Sequence, residues 1–304
     1  MLKKSTKLNK TPIRYAGGKT RAIKHIIPYF PTNLKKIISP FMGGGSLEVY
    51  LTNLGIKVHG YDIFKPLVVF WNQIITNNEE LVNLLKTIQP NEERYKEIKD
   101  ELIKWDYTQE MLKDWKTDFY KRENPISLTD LQVAAYYYFN HNTSYGPGYL
   151  GWPSSVYLNQ KSWNNMIENI SKFDGSNLEV GLSDFSEVIK GHPEDFIYLD
   201  PPYFMGKDSD NKMHAAIYPM KNIPVHHDGF NHEGLRDLLH NHKGKFIMSY
   251  NNCETIRDYY QDFRLEYPKW NYSMGNGETR IGENRIREGI VNSKESHEIL
   301  IIKD

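Results

Sequence analysis

Short apolar runs alternate with longer amphipathic stretches along this chain. Lys36–Phe41, Lys57–Tyr61, Leu178–Leu182, Asp195–Leu199, Lys245–Tyr250 and His297–Ile302 are brief and rich in branched and aromatic residues. Their neighbours are glycine, proline or acids, so they read as strands. A further strand is expected near residues 263–268. Helical patterns follow Ser46, run through the charged residues 79–123 with Trp105 and Trp115, occupy 129–140, and return from Asn231 to His242. About 115 residues separate Asp62 from Leu178. A crossover between parallel strands needs far fewer, so a mostly helical inserted domain is expected between the second and third strands. Two stretches lack periodicity: the loop after Tyr203 as far as Phe230, with Lys207, Lys212 and Lys221, and a basic one from Trp270 to Glu288, with Arg280, Arg285 and Arg287.

The composition, 39% hydrophobic and 25% charged over 304 residues, is that of a globular protein. Net charge is zero, but unevenly spread. Residues 1–47 hold ten Lys and Arg and no acid, leaving 28 basic and 38 acidic residues for the remainder. A basic arm that includes Lys3, Lys4, Lys7 and Lys10 suits nucleic acid and equally a solvated tail. The single Cys253 excludes an internal disulfide and a cysteine-built zinc site. His226, His227, His232, His240 and His242 cluster in sequence without a carboxylate at zincin spacing, so no metal is expected. No apolar run approaches 18 residues and no apolar leader opens the chain, which predicts a cytoplasmic protein.

Four motifs carry chemistry. Arg14-Tyr15-Ala16-Gly17-Gly18-Lys19-Thr20 invites a phosphate-loop reading, but Ile13 stands where that loop needs its first glycine. A glycine turn beside an aromatic ring and one lysine remains. Phe41-Met42-Gly43-Gly44-Gly45-Ser46-Leu47-Glu48 joins a strand to a helix, as in nucleotide-binding units. Glu48 replaces the third glycine and places an acid where a pyrophosphate would sit, so a cofactor without phosphates fits better. Asp62 ends the next strand, where a ribose diol is usually held. Together these ask for a nucleoside cofactor such as S-adenosylmethionine. Asp200-Pro201-Pro202-Tyr203 then ends a buried strand. Its carboxylate and the rigid Pro201 carbonyl can accept two protons of an exocyclic amine, with Tyr203 stacked on the base. A strand end followed by a plain turn is the alternative. Within the insert, Asn142-Thr143-Ser144-Tyr145 and the glycines through Trp152 read as a loop placed against DNA, or as a surface turn.

In this order the motifs make the sequence resemble the Dam-like family of N6-adenine DNA methyltransferases, over about residues 12–303. The resemblance implies a Rossmann-like methyltransferase α/β sheet with an antiparallel last strand. It implies a catalytic domain of residues 1–64 and 173–304 and a target-recognition domain of residues 65–172. It implies that Tyr15, Ala16, Gly17, Gly18, Lys19, Phe41, Gly43, Gly44, Gly45, Ser46 and Asp62 hold S-adenosylmethionine, with Ser183, Asp184 and Phe185 beside its adenine. Asp200, Pro201, Pro202 and Tyr203 become catalytic residues, and Arg14, Asn142, Thr143, Ser144 and Tyr145 DNA contacts. Double-stranded DNA and a cognate endonuclease are the implied partners, in a restriction-modification or viral setting. The rivals are methyl transfer to RNA or to a protein amide, and a catalytically silent DNA-binding protein. Asp rather than Asn at position 200 favours adenine by the same resemblance.

Overall fold

The computed structural model describes residues 9–15, 17–105, 126–146, 148–204, 230–269, 271–273, 293–295 and 298–304. Ala16, Lys3, Lys4, Lys7, Trp115, most of the loop after Tyr203 and the three loop arginines lie outside them.

The predicted strands form one seven-stranded sheet. β1 (Lys36–Ser39), β2 (Lys57–Asp62), β3 (Leu178–Leu182), β4 (Ile197–Leu199), β5 (Phe246–Asn251), β6 (Arg264–Glu266) and β9 (Glu298–Lys303) stand in the order β3-β2-β1-β4-β5-β9-β6. The first five pair in parallel. β9 is antiparallel to both β5 and β6. β7 (Asn271–Ser273) and β8 (Ser293–Glu295) make a small separate pair, part of it inside the stretch read as loop. The helices are α1 (Ile23–Ile26), α2 (Ser46–Asn53), α3 (Lys65–Thr76), α4 (Asn78–Thr87), α5 (Glu92–Lys104), α6 (Asp130–Thr143), α7 (Gln160–Ser171), α8 (Phe185–Gly191), α9 (His232–Asn241) and α10 (Glu254–Tyr259).

This topology fixes where a ligand sits. β1 lies between β2 and β4, so the crossovers run in opposite directions from its two sides. A crevice opens at such a switch point, outside the carboxyl ends of the strands. The glycine loop leaves β1 there and Asp200 leaves β4 there. Ile37, Ile38, Ile197, Leu199, Ile247 and Met248 are buried in the sheet.

The helical insert is joined to the sheet by one apolar core. A continuous buried cluster runs from Ile37 and Val58 through Trp71 of α3 to Tyr137 and Tyr138 of α6 and Trp163 of α7. Trp71 is fully buried, and its indole N–H donates to the Gly43 carbonyl at 3.0 Å. α3 thus shapes the glycine loop from below. α6 begins with a capping box between Thr129 and Gln132 and is buried from Val133 to Thr143, as a central helix should be.

Trp71→Phe keeps most of the buried ring but leaves the Gly43 carbonyl without its indole donor. A loss of about 1–3 kcal/mol in stability is expected, the cost of one orphaned buried acceptor. Urea unfolding followed by circular dichroism measures it.

Candidate active site

The N-terminal segment, the glycine loop and the end of β4 meet over the switch point. Tyr15 lies flat on the glycine loop. A Cβ added at Gly44 would stand 2.4 Å from Tyr15 Cβ, so only glycine allows this approach. Gly45 has φ +61°, and a side chain there would meet Met42 and Trp71. Thr11 donates its hydroxyl proton to the Gly44 carbonyl, tying the N-terminal segment down. Thr20 and Ser46 hydroxyls sit 3.3 Å apart at the start of α2. Gly17 and Gly18 form the turn that follows Tyr15, closed by a Gly18 N–H bond to the Tyr15 carbonyl at 3.2 Å.

Asp62 closes the other side of the loop. Its two oxygens accept from the backbone N–H groups of Gly43 and Phe64, each at 2.9 Å. A carboxylate offers about four lone-pair sites, so Asp62 can hold the loop and accept from a ribose diol together. Phe41 and Phe185 stack at 5.5 Å, with Phe230 against both. Asp184 caps α8 through the Ser186 N–H at 2.9 Å, and the Ser183 N–H bonds the Asp62 carbonyl at 3.2 Å. These two residues shape the turn beside Phe185.

The arrangement suits a nucleoside cofactor without phosphates. It offers a flat glycine cradle, an acid at the second strand's end and aromatic walls. Among the described residues, the buried Tyr137 hydroxyl and His141 Nδ1 have no hydrogen-bond partner. Tyr137 lies within electrostatic reach of Tyr15 and Asp62. Buried polar atoms are rarely left unpaired, so a polar ligand beside Tyr15 would satisfy them. Glu48 in the first turn of α2 is buried against the Ser39 hydroxyl at 2.8 Å, which disfavours a phosphate there.

Lys19 Nζ donates to the Gly17 carbonyl at 3.2 Å and reaches across to Asp200 Oδ1 at 2.8 Å, with Glu298 Oε1 3.6 Å away. The Lys19 side chain is 4% exposed and that of Asp200 is 23% exposed, so the pair faces the crevice from one side only. Burial pushes the Asp200 carboxyl up to about 6; Lys19 pulls it down and the Glu298 carboxylate pushes it further up. Pro201 is buried and Pro202 half-buried. Tyr203 stacks on Tyr250 at 6.0 Å, with the Lys19 ammonium 5.0 Å from its ring. The loop after Tyr203 is pinned twice by Asn251, which accepts from the Phe204 N–H at 2.8 Å and donates to the Phe204 carbonyl at 3.0 Å. Sequence reasoning missed Asn251, Glu298, Trp71 and His141. A polar residue at the carboxyl end of a strand was the available signal for Asn251.

The reading of residues 142–144 as surface DNA contacts is corrected. α6 continues to Thr143, and Asn142, Thr143 and Ser144 are fully buried. Their polar atoms are consumed locally. Asn142 accepts from the Arg14 N–H at 2.8 Å and donates to the Tyr138 carbonyl at 2.9 Å. Thr143 donates to the Phe139 carbonyl, and Ser144 to that of His141 while accepting from the Gly148 N–H. Such back-bonding lets polar side chains end a buried helix. His141 Nε2 bonds the Arg14 carbonyl at 2.6 Å and its ring stacks on Tyr15; burial holds it neutral, at about 4. Arg14 is likewise engaged: its guanidinium donates to the Asn142 carbonyl at 2.6 Å and lies 3.4 Å over the Tyr157 ring. These residues anchor the motif around Tyr15. Of the predicted DNA contacts, Tyr145 is half exposed, and its N–H pairs with the carbonyl of Trp152, which is 72% exposed.

Among the described residues, no helix is long and apolar enough to cross a membrane and no three metal-ligating side chains converge.

A family model described as D12 class N6 adenine-specific DNA methyltransferase matches residues 15–274. The chain is 24% identical over 308 residues to modification methylase StsI of Streptococcus sanguinis, covering 96% of this chain and 42% of that protein. It is 28% identical over 214 residues to type II methyltransferase M.MjaIII of Methanocaldococcus jannaschii, covering 63% and 68% respectively. It is 23% identical over 299 residues to type II methyltransferase M.FokI of Planomicrobium okeanokoites, covering 91% and 42%. The chain therefore spans less than half the length of the StsI and FokI proteins.

Asp62→Ala removes both the anchor of the Gly43 N–H and the acceptor for a ribose. S-adenosylmethionine should bind more weakly by roughly 1.5–3 kcal/mol, the worth of hydrogen bonds to a charged group. Calorimetric titration without DNA reads this directly, and an unchanged dissociation constant would remove Asp62 from the cofactor site.

Proposed function

The chain belongs to the D12 class of N6 adenine-specific DNA methyltransferases, and we propose that it methylates the N6 amino group of an adenine within a specific site of duplex DNA. The observation that carries this reading is the acid at the end of β4. Asp200 is partly desolvated, oriented by a buried lysine and set beside an aromatic ring. The adenine must leave the stack to reach it, because its amino nitrogen is inaccessible inside the duplex.

The mechanism follows from what these groups can do. Bound S-adenosylmethionine supplies an electrophilic methyl group. Asp200 and the Pro201 carbonyl accept hydrogen bonds from the two amino N–H groups, which draws the nitrogen lone pair out of conjugation with the ring. Lys19 fixes the Asp200 carboxylate in place, and Asn251 fixes the backbone that follows it. Asp200 stabilises the positive charge that grows on nitrogen, an electrostatic contribution in a site with little water. Tyr203 stacks on the base. Tyr15, Asp62 and the glycine loop would hold the cofactor, and the stacked Phe41 and Phe185 would offer an aromatic wall to it. Alignment of the two partners supplies the rest.

Residues 65–172 form the recognition domain in this reading. α3 and the end of α6 serve the cofactor side, so base recognition falls to the outer part. The paired tip of Tyr145 and Trp152 fits a DNA contact, since exposed aromatic rings can stack on bases or wedge between them. Lys99 stands beside it, 5.6 Å from the Trp152 ring. The relatives, a modification methylase and two type II methyltransferases, support a restriction-modification role with a cognate endonuclease. The motif order supports a Dam-like arrangement within the class.

Asp200→Ala should abolish transfer of labelled methyl to duplex DNA and leave cofactor affinity within a few-fold of wild type, because the role lies in the transition state. RNA and protein acceptors in the same assay separate the rival substrates. The proton acceptor must be ionised, so kcat/KM should be full well above pH 6 and fall about tenfold per unit below it. A profile flat down to pH 4 would remove Asp200 from that role.

Tyr145→Ala and Trp152→Ala should each weaken DNA binding or relax the methylated site, at about 1–3 kcal/mol per lost stack or base contact. Asn142→Ala should instead weaken cofactor binding with the site profile intact, since its side chain holds Arg14. Sequencing the modified adenines of a random DNA library for each variant distinguishes the two.

A further inference from the structure

Strand β9 opens with a buried acid whose position none of the motifs explains. One oxygen of Glu298 accepts from the Ser249 hydroxyl at 2.8 Å, across the pairing of β9 with β5. The other lies 3.6 Å from Lys19 Nζ, the same ammonium that touches Asp200 at 2.8 Å. Glu48 of α2 is a third acid within electrostatic reach of both Lys19 and Asp200, and burial pushes it up to about 7. The described residues thus gather one lysine and three carboxyl groups at the end of β4. Burying an acid is costly unless it is paired. A lysine intended only to orient Asp200 would not need a second buried carboxylate beside it.

We propose that Glu298 is a positioning residue for methyl transfer: it shares the Lys19 ammonium with Asp200, so that Lys19 orients Asp200 without quenching it as a proton acceptor. This rests on the adenine methyltransferase reading above. In the transfer, Asp200 takes an N–H proton as the N–C bond forms and the S–C bond breaks with its electron pair left on sulfur. Asp200 then releases the proton to water. An acid wholly neutralised by one lysine would be a weaker base for that step. A second carboxylate on the far side of the ammonium divides the attraction. The groups facing Asp200 are Lys19 from the N-terminal segment, Glu298 from β9, Glu48 from α2 and Tyr198 from β4, with Tyr203 following in the chain.

The test is Glu298→Gln, which keeps the volume and the Ser249 bond but removes the charge. Carboxyl NMR of the protein without cofactor or DNA, assigned with Asp200→Asn, should show the Asp200 midpoint falling by about one pH unit. The acid limb of kcat should move down by the same amount. The plateau kcat should fall several-fold, with calorimetric affinity for S-adenosylmethionine within twofold of wild type. Glu298→Asp keeps the charge one methylene further from Lys19 and should shift the midpoint less, in the same direction. It also serves as the readout should the glutamine variant not fold. An Asp200 titration unchanged in the folded variants, or a loss of kcat matched by loss of cofactor affinity, would overturn the proposal. Wild-type protein that transfers no methyl to duplex DNA would overturn the functional reading instead, while the NMR titration still decides whether Glu298 and Asp200 are coupled.

Discussion

The buried ion pair between Lys19 and Asp200 is the contact on which the arrangement depends. It joins the N-terminal segment to the end of β4, residues 181 positions apart in sequence. Desolvation makes such a pair expensive and attraction repays it only when geometry is good. Loss of Lys19 would strand the Asp200 charge, whereas Lys19 keeps Glu298 and the Gly17 carbonyl if Asp200 is removed. The segment carrying Lys19 is therefore held over the switch point, and Tyr15 with it. Glycines at 43, 44 and 45 then let the loop after β1 approach that ring closely enough to leave a flat floor. The polar constraint and the steric one meet in the same five residues, Tyr15 to Lys19.

The sheet was legible because its signals are local. Each strand is a short apolar run, and all seven predicted strands occur within a few residues of their expected limits. The antiparallel last strand, expected from resemblance, also occurs. The roles of polar residues were less legible. Asn142, Thr143 and Ser144 look like a surface loop by residue type, because asparagine, threonine and serine favour turns. In the structure their side chains bond back onto α6 or to Arg14, so the polarity is spent internally. Residue type alone cannot tell a donor offered to DNA from one turned onto the preceding helical turn. Lys19 shows the same limit. It stands in a glycine turn and bonds the Gly17 carbonyl, and nothing local announces its ion pair with Asp200 at the end of β4. Glu298 had no local signal at all, since its meaning comes from where β9 runs beside β5.

The end of α6 ties the N-terminal segment to the exposed aromatic tip of the insert. The helix end that anchors Arg14 and Tyr15 continues within two residues into Tyr145, whose N–H pairs with the exposed Trp152. Between them lie the buried Asn142, Thr143 and Ser144, whose side chains are each hydrogen-bonded. A close-packed interior of this kind transmits position and has little room to absorb it. The exposed aromatic tip therefore stands at a distance from Asp200 set by packing, through α6, Arg14, Tyr15 and Lys19 in turn. The proposed reaction, which brings a base to one carboxylate, would need such a fixed span. Here it is built from the residues that a surface reading would have assigned to the DNA itself.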